Sequence, residues 1–159
     1  MTFETRKMTA ADVPACLDIV NPIIAHGGTT AYEDPFTEQH FLDHYCVEPP
    51  VSNVVLHDGK IIGFQAAFLV APKTYSIGTF TDRNNPVRGA GATIMAQTKS
   101  DCRNHSGGCI LAKITSDNTG GLAFYSKMGF EDFEIEKAAH TRKSGKVVDR
   151  ITKRFLIED

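Results

Sequence analysis

Two glycines, Gly89 and Gly91, stand between a strand-like segment and a helix-like segment, and an arginine precedes them. Residues 75–81 are rich in β-branched and aromatic types, which are typical of a strand. Residues 92–104 contain no Gly or Pro and favour a helix. The first N–H groups of a helix have no partner within it, and the helix dipole adds positive charge there. The sequence therefore predicts that the backbone of residues 88–93 binds an anion such as a pyrophosphate.

Two other phosphate-binding loops do not fit these residues. A Walker-type loop ends in Gly-Lys-Ser/Thr, whereas Gly91 is followed here by Ala92 and Thr93. The dinucleotide-binding fingerprint needs a third glycine where Ile94 stands. Glycines at the start of a helix can also form only a tight turn, and the residues of this loop alone leave that alternative open.

A second motif makes the interpretation more specific. Residues 88–92 resemble the acyl-coenzyme A loop of the GNAT N-acetyltransferase superfamily, whose pattern is Gln/Arg-x-x-Gly-x-Gly/Ala, although Thr93 stands where Gly or Ala is usual. Residues 118–130 resemble the same family's Asn-x-x-Ala-x-x-Phe-Tyr-x-x-x-Gly-Phe signature, one residue out at the small position. Both motifs occur in the family's order, and the similarity extends over residues 76–133.

The resemblance implies that the chain binds acetyl-CoA as a co-substrate. The pantetheine arm would lie along the strand that ends at Phe80 and Thr81, where two parallel neighbours separate. Asn118 would hydrogen-bond this arm, or it would only cap the following helix. The loop residues implied to hold the diphosphate are Arg88, Gly89, Ala90, Gly91, Ala92 and Thr93.

Phe124 and Tyr125 form the aromatic pair of the second motif. In the family, the tyrosine lies near the coenzyme sulfur and acts as a general acid, a role that suits a phenol with an ordinary pKa of about 10. The resemblance therefore implies that Tyr125 protonates the departing thiolate, although Tyr125 could also be a packing residue. Phe124 would pack in the core or beside the adenine.

Residues 29–33, Thr-Thr-Ala-Tyr-Glu, resemble a segment that borders the acceptor pocket in the phosphinothricin and methionine-sulfoximine acetyltransferase branch. The resemblance implies that Thr30, Tyr32 and Glu33 bind a small-molecule amine. Glu33 would bind the ammonium or take its proton through water, whereas an ordinary loop carboxylate would do neither. A glutamate that this branch usually carries just before Ser76 is absent.

One alternative constellation is a metal site. His40 and His44 are four residues apart on a predicted helix and Cys46 is nearby, so this face could hold Zn²⁺. No third ligand stands at a useful spacing, and such pairs also occur on solvated helices. We therefore expect no metal.

The remaining elements would position these motifs. The patterning and the resemblance predict one α/β (α+β) domain, residues 1–159, with a GNAT-like three-layer fold: a mixed, mostly antiparallel sheet of about seven strands, its fourth and fifth strands splayed, flanked by about four helices. Pro22 should kink or interrupt the first helix after Asn21, and Asp58-Gly59 indicates a hairpin. The predicted strands are 2–8, 51–56, 60–70, 75–81, 109–115, 130–140 and 147–157, and the predicted helices are 13–24, 92–104, 122–128 and one that begins near Thr37.

Composition argues against several classes of partner. The formal net charge is −2 and no basic stripe is interleaved with aromatic residues, so we expect no nucleic-acid binding. No apolar run is long enough to span a bilayer, so we expect no membrane partner. The four cysteines lack Cys-x-x-Cys spacing, which indicates reduced thiols in a cytoplasmic protein.

Taken together, the residues and the resemblance predict an N-acetyltransferase that moves an acetyl group from acetyl-CoA to a primary amine of a small molecule, for example an amino acid or an analogue. Attack would be direct, within a ternary complex, because no cysteine lies in either motif. Two alternatives use the same fold: a non-catalytic acyl-CoA sensor and a protein or peptide N-acetyltransferase. The long C-terminal hairpin offers an exposed edge, so we expect a homodimer. A monomeric mass by light scattering would contradict that expectation.

Overall fold

The computed structural model describes residues 2–157, which form a seven-stranded sheet with helices on both faces. The strands are β1 (Phe3–Lys7), β2 (Val51–His57), β3 (Lys60–Ala71), β4 (Thr74–Thr81), β5 (Cys109–Thr115), β6 (Glu131–Thr141) and β7 (Val147–Leu156). The α-helices are α1 (Val13–His26), α2 (Glu38–Phe41), α3 (Ala90–Asn104) and α4 (Thr119–Lys127). A 3₁₀ turn, Ala10–Asp12, precedes α1, and a π-helical stretch, Leu42–Val47, continues α2. The predicted order of elements is confirmed.

The sheet has the strand order β1-β2-β3-β4-β5-β7-β6, and β4 and β5 are its parallel pair. Their pairing runs from Thr74 opposite Cys109 to Ile77 opposite Ala112 and then stops. Strand β4 nevertheless continues to Thr81 and stays paired with β3 on its other side. The predicted splay is therefore confirmed, and it leaves one side of the β4 backbone open from Gly78 onward.

Local turn chemistry explains several boundaries. Asp58 and Gly59 have φ angles of 50° and 84°, the left-handed conformation that a tight hairpin needs, and they join β2 to β3 as predicted. At the end of α4, Gly129 has φ 93°, its N–H donates to the Ser126 carbonyl, and the Phe130 N–H donates to the Tyr125 carbonyl. This pattern is a Schellman motif, and it fixes the turn that follows the aromatic pair.

Of the kink or interruption predicted for the first helix, the interruption is wrong. Helix α1 runs without interruption through Pro22, although a proline inside a helix costs about 3 kcal/mol. Its apolar stripe packs on one face of the sheet, and each buried aliphatic side chain contributes about 1.5–3 kcal/mol. Burial of Ile19, Val20 and Ile24, all less than 7% exposed, outweighs the single defect.

Two hydrophobic clusters occupy opposite faces of the sheet and confirm the three layers. One combines α1 and the α2 region with Phe64, Ala66 and Phe80. The other combines α3 and α4 with residues that include Ile77 and Ile110. Because side chains alternate along a strand, β4 contributes to both clusters. The part of β4 from Ile77 to Phe80 therefore contacts both helical layers.

Strand β6 is an edge of the sheet, and most of its residues are exposed. Phe133 and Ile135 are each more than half exposed on it. The homodimer stays a prediction. Across residues 2–157, every helix is too short or too polar to cross a membrane.

Candidate functional site

A cavity of about 840 Å³ lies where β4 and β5 separate. The sequence-predicted residues that line it are Thr30, Tyr32, Phe80, Thr81, Gly89, Gly91, Ala92, Asn118, Phe124 and Tyr125. Two distant motifs and the 29–33 loop are thus brought to one place. Four predicted residues, Arg88, Ala90, Thr93 and Glu33, are not among the described residues that line this cavity.

The start of α3 offers fewer free amides than predicted. The N–H of Ala90 donates to the Val87 carbonyl, and the N–H of Thr93 donates to the Gly89 carbonyl. The Thr93 hydroxyl also bonds that carbonyl, at 2.7 Å. Within residues 2–157, no backbone acceptor faces the N–H of either of the two residues between them, Gly91 and Ala92, which both line the cavity. At this helix start, these two amides are therefore free to donate to an anion.

Gly91 has a second reason to be glycine. A Cβ at this position would lie 2.7 Å from Cε1 of Phe124, closer than real carbon contacts allow. The aromatic ring of the second motif thus packs directly against the backbone of the first. A residue without a side chain is therefore needed at position 91 for the contact between the two motifs, as well as for a ligand. The alternative in which Phe124 is a packing residue is supported.

Tyr125 is buried beside the unpaired part of β4. Its hydroxyl is 2.8 Å from Oγ1 of Thr79, which accepts a hydrogen bond from the Gln65 amide at 2.6 Å. Since the amide donates to Thr79, the Thr79 proton is available to the Tyr125 oxygen, and the phenolic proton can point into the cavity. Burial raises the pKa of Tyr125 to about 12, and the bond to Thr79 offsets part of this rise. The phenol therefore stays protonated.

Asn118 is the N-cap of α4, which is one of the two roles predicted for it. Its side-chain oxygen accepts the N–H of Gly121 at 2.9 Å. The cap explains why α4 begins at Thr119, three residues before the predicted start, despite two glycines in its first turn. Asn118 also lines the cavity, so its predicted bond to the pantetheine arm stays a prediction.

Glu33 lies in a network of ion pairs rather than on the cavity wall. Its Oε2 accepts from His140 Nε2 at 2.8 Å and from Arg142 at 2.9 Å, and its Oε1 accepts the backbone N–H of Lys143 at 2.8 Å. These donors, His140 first, lower the pKa of Glu33 to about 2. A carboxylate with this pKa is a poor proton acceptor near neutral pH. The structure thus argues against Glu33 as a base and for Glu33 as an anchor of the 29–33 loop.

Arg142 is the centre of this network, and sequence reasoning missed it. The side chain is 5% exposed and forms a two-pronged pair with Asp117, from NH2 to Oδ1 at 2.8 Å and from Nε to Oδ2 at 3.1 Å. It also donates to the Thr30 carbonyl and, at 2.7 Å, to the Thr115 hydroxyl. One guanidinium therefore joins the 29–33 loop, the end of β5 and the turn before Asn118. No local signal marks it, because its partners Asp117 and Glu33 are 25 and 109 residues away in the chain.

The predicted pair of histidines takes part in aromatic packing and hydrogen bonding. Within residues 2–157, no group of three or more His, Cys, Asp and Glu is placed to hold a metal ion. The His40 ring packs against Phe36, with centroids 4.7 Å apart. His44 instead lines the cavity and hydrogen-bonds the Tyr32 hydroxyl.

The charged side chains on the cavity wall are basic. Arg83, Lys113 and Lys127 line it, and no Asp or Glu of the described chain does. Lys113 is exposed on β5, and its side-chain ammonium has no hydrogen-bond or ion-pair partner within residues 2–157. The cavity therefore attracts anions.

These features fit coenzyme A. The open side of β4 from Gly78 onward can pair with a pantetheine arm as an added strand. The free amides of Gly91 and Ala92, together with the basic wall, suit a diphosphate.

Known proteins that are similar to this chain are also acetyltransferases. A family model described as Acetyltransferase (GNAT) family matches residues 19–130, more than half of the chain. No match was found among curated proteins.

Solved structures show the same fold at low sequence identity. A phosphinothricin acetyltransferase from Sinorhizobium meliloti, in complex with AcCoA, has a TM-score of 0.89 at 19% identity, over 99% of this chain and 89% of that one. An N-acetyltransferase from Staphylococcus aureus Mu50 has a TM-score of 0.89 at 14% identity, over 99% and 100%. A ribosomal-protein-alanine N-acetyltransferase from Brucella melitensis has a TM-score of 0.86 at 19% identity, over 96% and 99%. With the family match, the splayed β4–β5 pair and the glycine-opened α3, the chain belongs to the acetyltransferase (GNAT) family, whose co-substrate is acetyl-CoA.

Proposed function

We propose that this protein acetylates the primary amine of a small molecule that also carries an anionic group, such as an amino acid or an analogue of one. The observation that carries the proposal is one cavity that joins the unpaired β4 backbone to an aromatic and basic chamber, whose lining among residues 2–157 has no carboxylate. One end of this cavity suits a thioester-bearing arm, and the other suits a compact acceptor. A cytoplasmic location and a homodimer belong to the same proposal.

At the coenzyme end, the amides of Gly91 and Ala92 would bind the diphosphate, with Arg83 and Lys127 adding charge. Acetyl-CoA supplies a thioester whose carbonyl carbon an amine can attack. The unpaired backbone near Phe80 would donate to the carbonyl oxygen, which gains negative charge during attack. Tyr125 would donate a hydrogen bond to the sulfur as it leaves.

Transfer would be direct. No cysteine of the described chain lines the cavity. Cys16 and Cys102 are fully buried, and burial raises the pKa of each thiol to about 12. Cys46 and Cys109 are partly exposed but lie outside the cavity, so no thiol of the described chain is placed beside the thioester to form a covalent acetyl-enzyme.

The charge of the wall supports an anionic acceptor over the two alternatives. A peptide N-acetyltransferase would be favoured by a wide, acidic groove, whereas the described lining has no carboxylate and carries Lys113 without a partner. Aromatic side chains such as Tyr32, Phe68 and Phe80 narrow the chamber. A sensor would not need an ordered phenol beside the open strand.

An amine panel tests the proposal. Thiol release from acetyl-CoA would be measured with amino acids, phosphinothricin and methionine sulfoximine, and with neutral amines, polyamines and lysine-containing peptides. We expect turnover with anionic amines and an increase of about 10- to 150-fold in their KM in Lys113→Met, because a charge-assisted bond is worth about 1.5–3 kcal/mol. Neutral amines should show no such increase. Lys60→Met, at an exposed lysine of the β2–β3 turn that is outside the cavity, is the matched control.

Two results would contradict the proposal. A calorimetric titration in which coenzyme A releases no heat would remove its basis. Turnover confined to polyamines or peptides would remove the anionic acceptor.

A further inference from the structure

We infer that His44 accepts the proton that the substrate's ammonium must lose, and that the Tyr32 hydroxyl conducts this proton. The inference rests on the proposed function, since an ammonium cannot attack a thioester until it is neutral. It assigns a role to a histidine whose spacing suggested a metal ligand. It also fills the position of base that Glu33 does not occupy.

The geometry is a chain of hydrogen bonds that runs from the interior to solvent. The hydroxyl oxygens of Tyr45 and Tyr32 are 2.7 Å apart, and the Tyr32 oxygen is 3.2 Å from Nε2 of His44. On the other side of the ring, Nδ1 of His44 is 3.3 Å from Oε2 of Glu48. Tyr45 is 1% exposed, whereas the Glu48 side chain is 64% exposed.

The inner end of the chain lies at the unpaired part of β4. The Tyr45 hydroxyl oxygen is 3.1 Å from the point that a Cβ on Gly78 would occupy. The Tyr32 ring lies 6.2 Å, between centroids, from the ring of Phe80. Tyr32, His44 and Tyr45 all line the cavity. An amine that approaches a thioester held along this strand therefore meets these hydroxyls.

The direction of the hydrogen bonds makes Nε2 the acceptor. The Glu48 carboxylate can only accept, so Nδ1 of His44 carries the ring proton and Nε2 presents a lone pair to the Tyr32 hydroxyl. Burial raises the pKa of both Tyr32 and Tyr45. The two phenols therefore stay protonated and can pass a proton on without keeping it.

The proton transfer balances without another reactant. The N–H bond of the ammonium breaks, and its proton goes to the Tyr32 oxygen while the Tyr32 O–H proton goes to Nε2 of His44. The products are a neutral amine and an imidazolium, paired with Glu48, which releases its proton to solvent. No group is oxidised or reduced.

The titratable groups next to His44 are the ones that could contribute to a pH profile of the reaction. The facing titratable groups are Tyr32 from the loop, and His40, Tyr45 and Glu48 from its own helical segment. Strand β3 presents Phe68, which is stacked on the His44 ring at 4.9 Å and carries no charge.

The test compares two acceptors in His44→Gln and in Tyr32→Phe. The first acceptor is an aliphatic amino acid that the wild type acetylates, charged at pH 7. The second is an aminooxy acid of the same length, whose nitrogen is weakly basic and already neutral. Both variants should lower kcat for the amino acid about 100-fold, as for loss of a general base, and leave kcat for the aminooxy acid within about twofold. Raising the pH should restore much of the amino-acid rate.

His40→Gln is the matched control, because His40 lies on the same helical segment and outside the cavity. Tyr32→Phe keeps the ring and its packing. If the His44 variant folds poorly, Tyr32→Phe still tests the same proton path. Equal losses with both acceptors, or no loss with either, would overturn the inference and leave the acetyltransferase proposal standing. If the wild type acetylated no amino acid and no aminooxy acid of the panel, the inference and the proposed function would both be overturned.

Discussion

Arg142→Met is expected to destabilise the native state by about 3–5 kcal/mol, the usual cost of removing one partner from a buried ion pair. The change leaves the carboxylates of Asp117 and Glu33, whose side chains are 13% and 23% exposed, without their shared cation. The Thr30 carbonyl and the Thr115 hydroxyl lose donors as well. Urea unfolding at pH 7, followed by far-UV circular dichroism, measures the effect.

The pH dependence of this loss identifies its cause. In the native state, hydrogen bonds from Arg142 lower the pKa of Asp117. The pKa of Glu33 is held at about 2, mainly by His140 and the Lys143 backbone N–H and in smaller part by Arg142. An unfolded carboxyl has a pKa of about 4, so a lowered native pKa stabilises the protein above that value. The stabilisation is lost as the pH falls through about 4 towards 2. The difference between wild type and Arg142→Met should therefore be largest near neutrality and shrink in acid.

Lys143→Met provides the comparison for Arg142. Lys143 is the next residue and also forms an ion pair, with Asp34 at 2.9 Å, but the two side chains are 71% and 82% exposed. An exposed pair of this kind contributes about 0–1 kcal/mol. If both variants lost the same stability, or if the Arg142 loss did not depend on pH, the buried network would not be the cause.

Tyr125→Phe is expected to lower kcat by about 100- to 1000-fold, the range for loss of one hydrogen-bond donor to a developing negative charge. The KM for acetyl-CoA should change little, because the phenol would contact the sulfur mainly as charge develops. Steady-state kinetics with the best amine of the panel measures both constants. Calorimetry with coenzyme A verifies that binding is retained.

The pKa of Tyr125 determines whether it can transfer its proton to the thiolate or only donate a hydrogen bond. At about 12 it is above the pKa of an ordinary thiol, about 8.5, so complete transfer of the proton to the thiolate is unfavourable. Donation of a hydrogen bond through the transition state is the role that remains. Activity should then show no loss from Tyr125 ionisation up to about pH 10.

Tyr75→Phe is the matched control for Tyr125→Phe. Tyr75 is buried in the same hydrophobic cluster but does not line the cavity. The same atom is removed, and kcat should stay within about twofold of wild type, because the hydroxyl contacts no reacting group. Equal losses in the two variants would mean that Tyr125 acts through packing alone.

Structural features that depend on residues close together in the chain were predicted correctly. Gly129, Asp58 and Gly59 act within a few residues, so the hairpin and the end of α4 were predicted correctly. The unbroken α1 was not, since burial against the sheet outweighed the local effect of Pro22.

By itself, the sequence determined the order of elements, the two motifs and, through them, the family. These properties depend on side-chain periodicity and on spacings of a few residues. Only the tertiary structure decided which of these groups are in contact: Glu33 forms an ion pair with Arg142, Gly91 lies against Phe124, and Tyr32 is hydrogen-bonded to His44. The reason is physical. Each of these contacts joins residues from different elements, and their energies depend on burial and distance that no local pattern encodes.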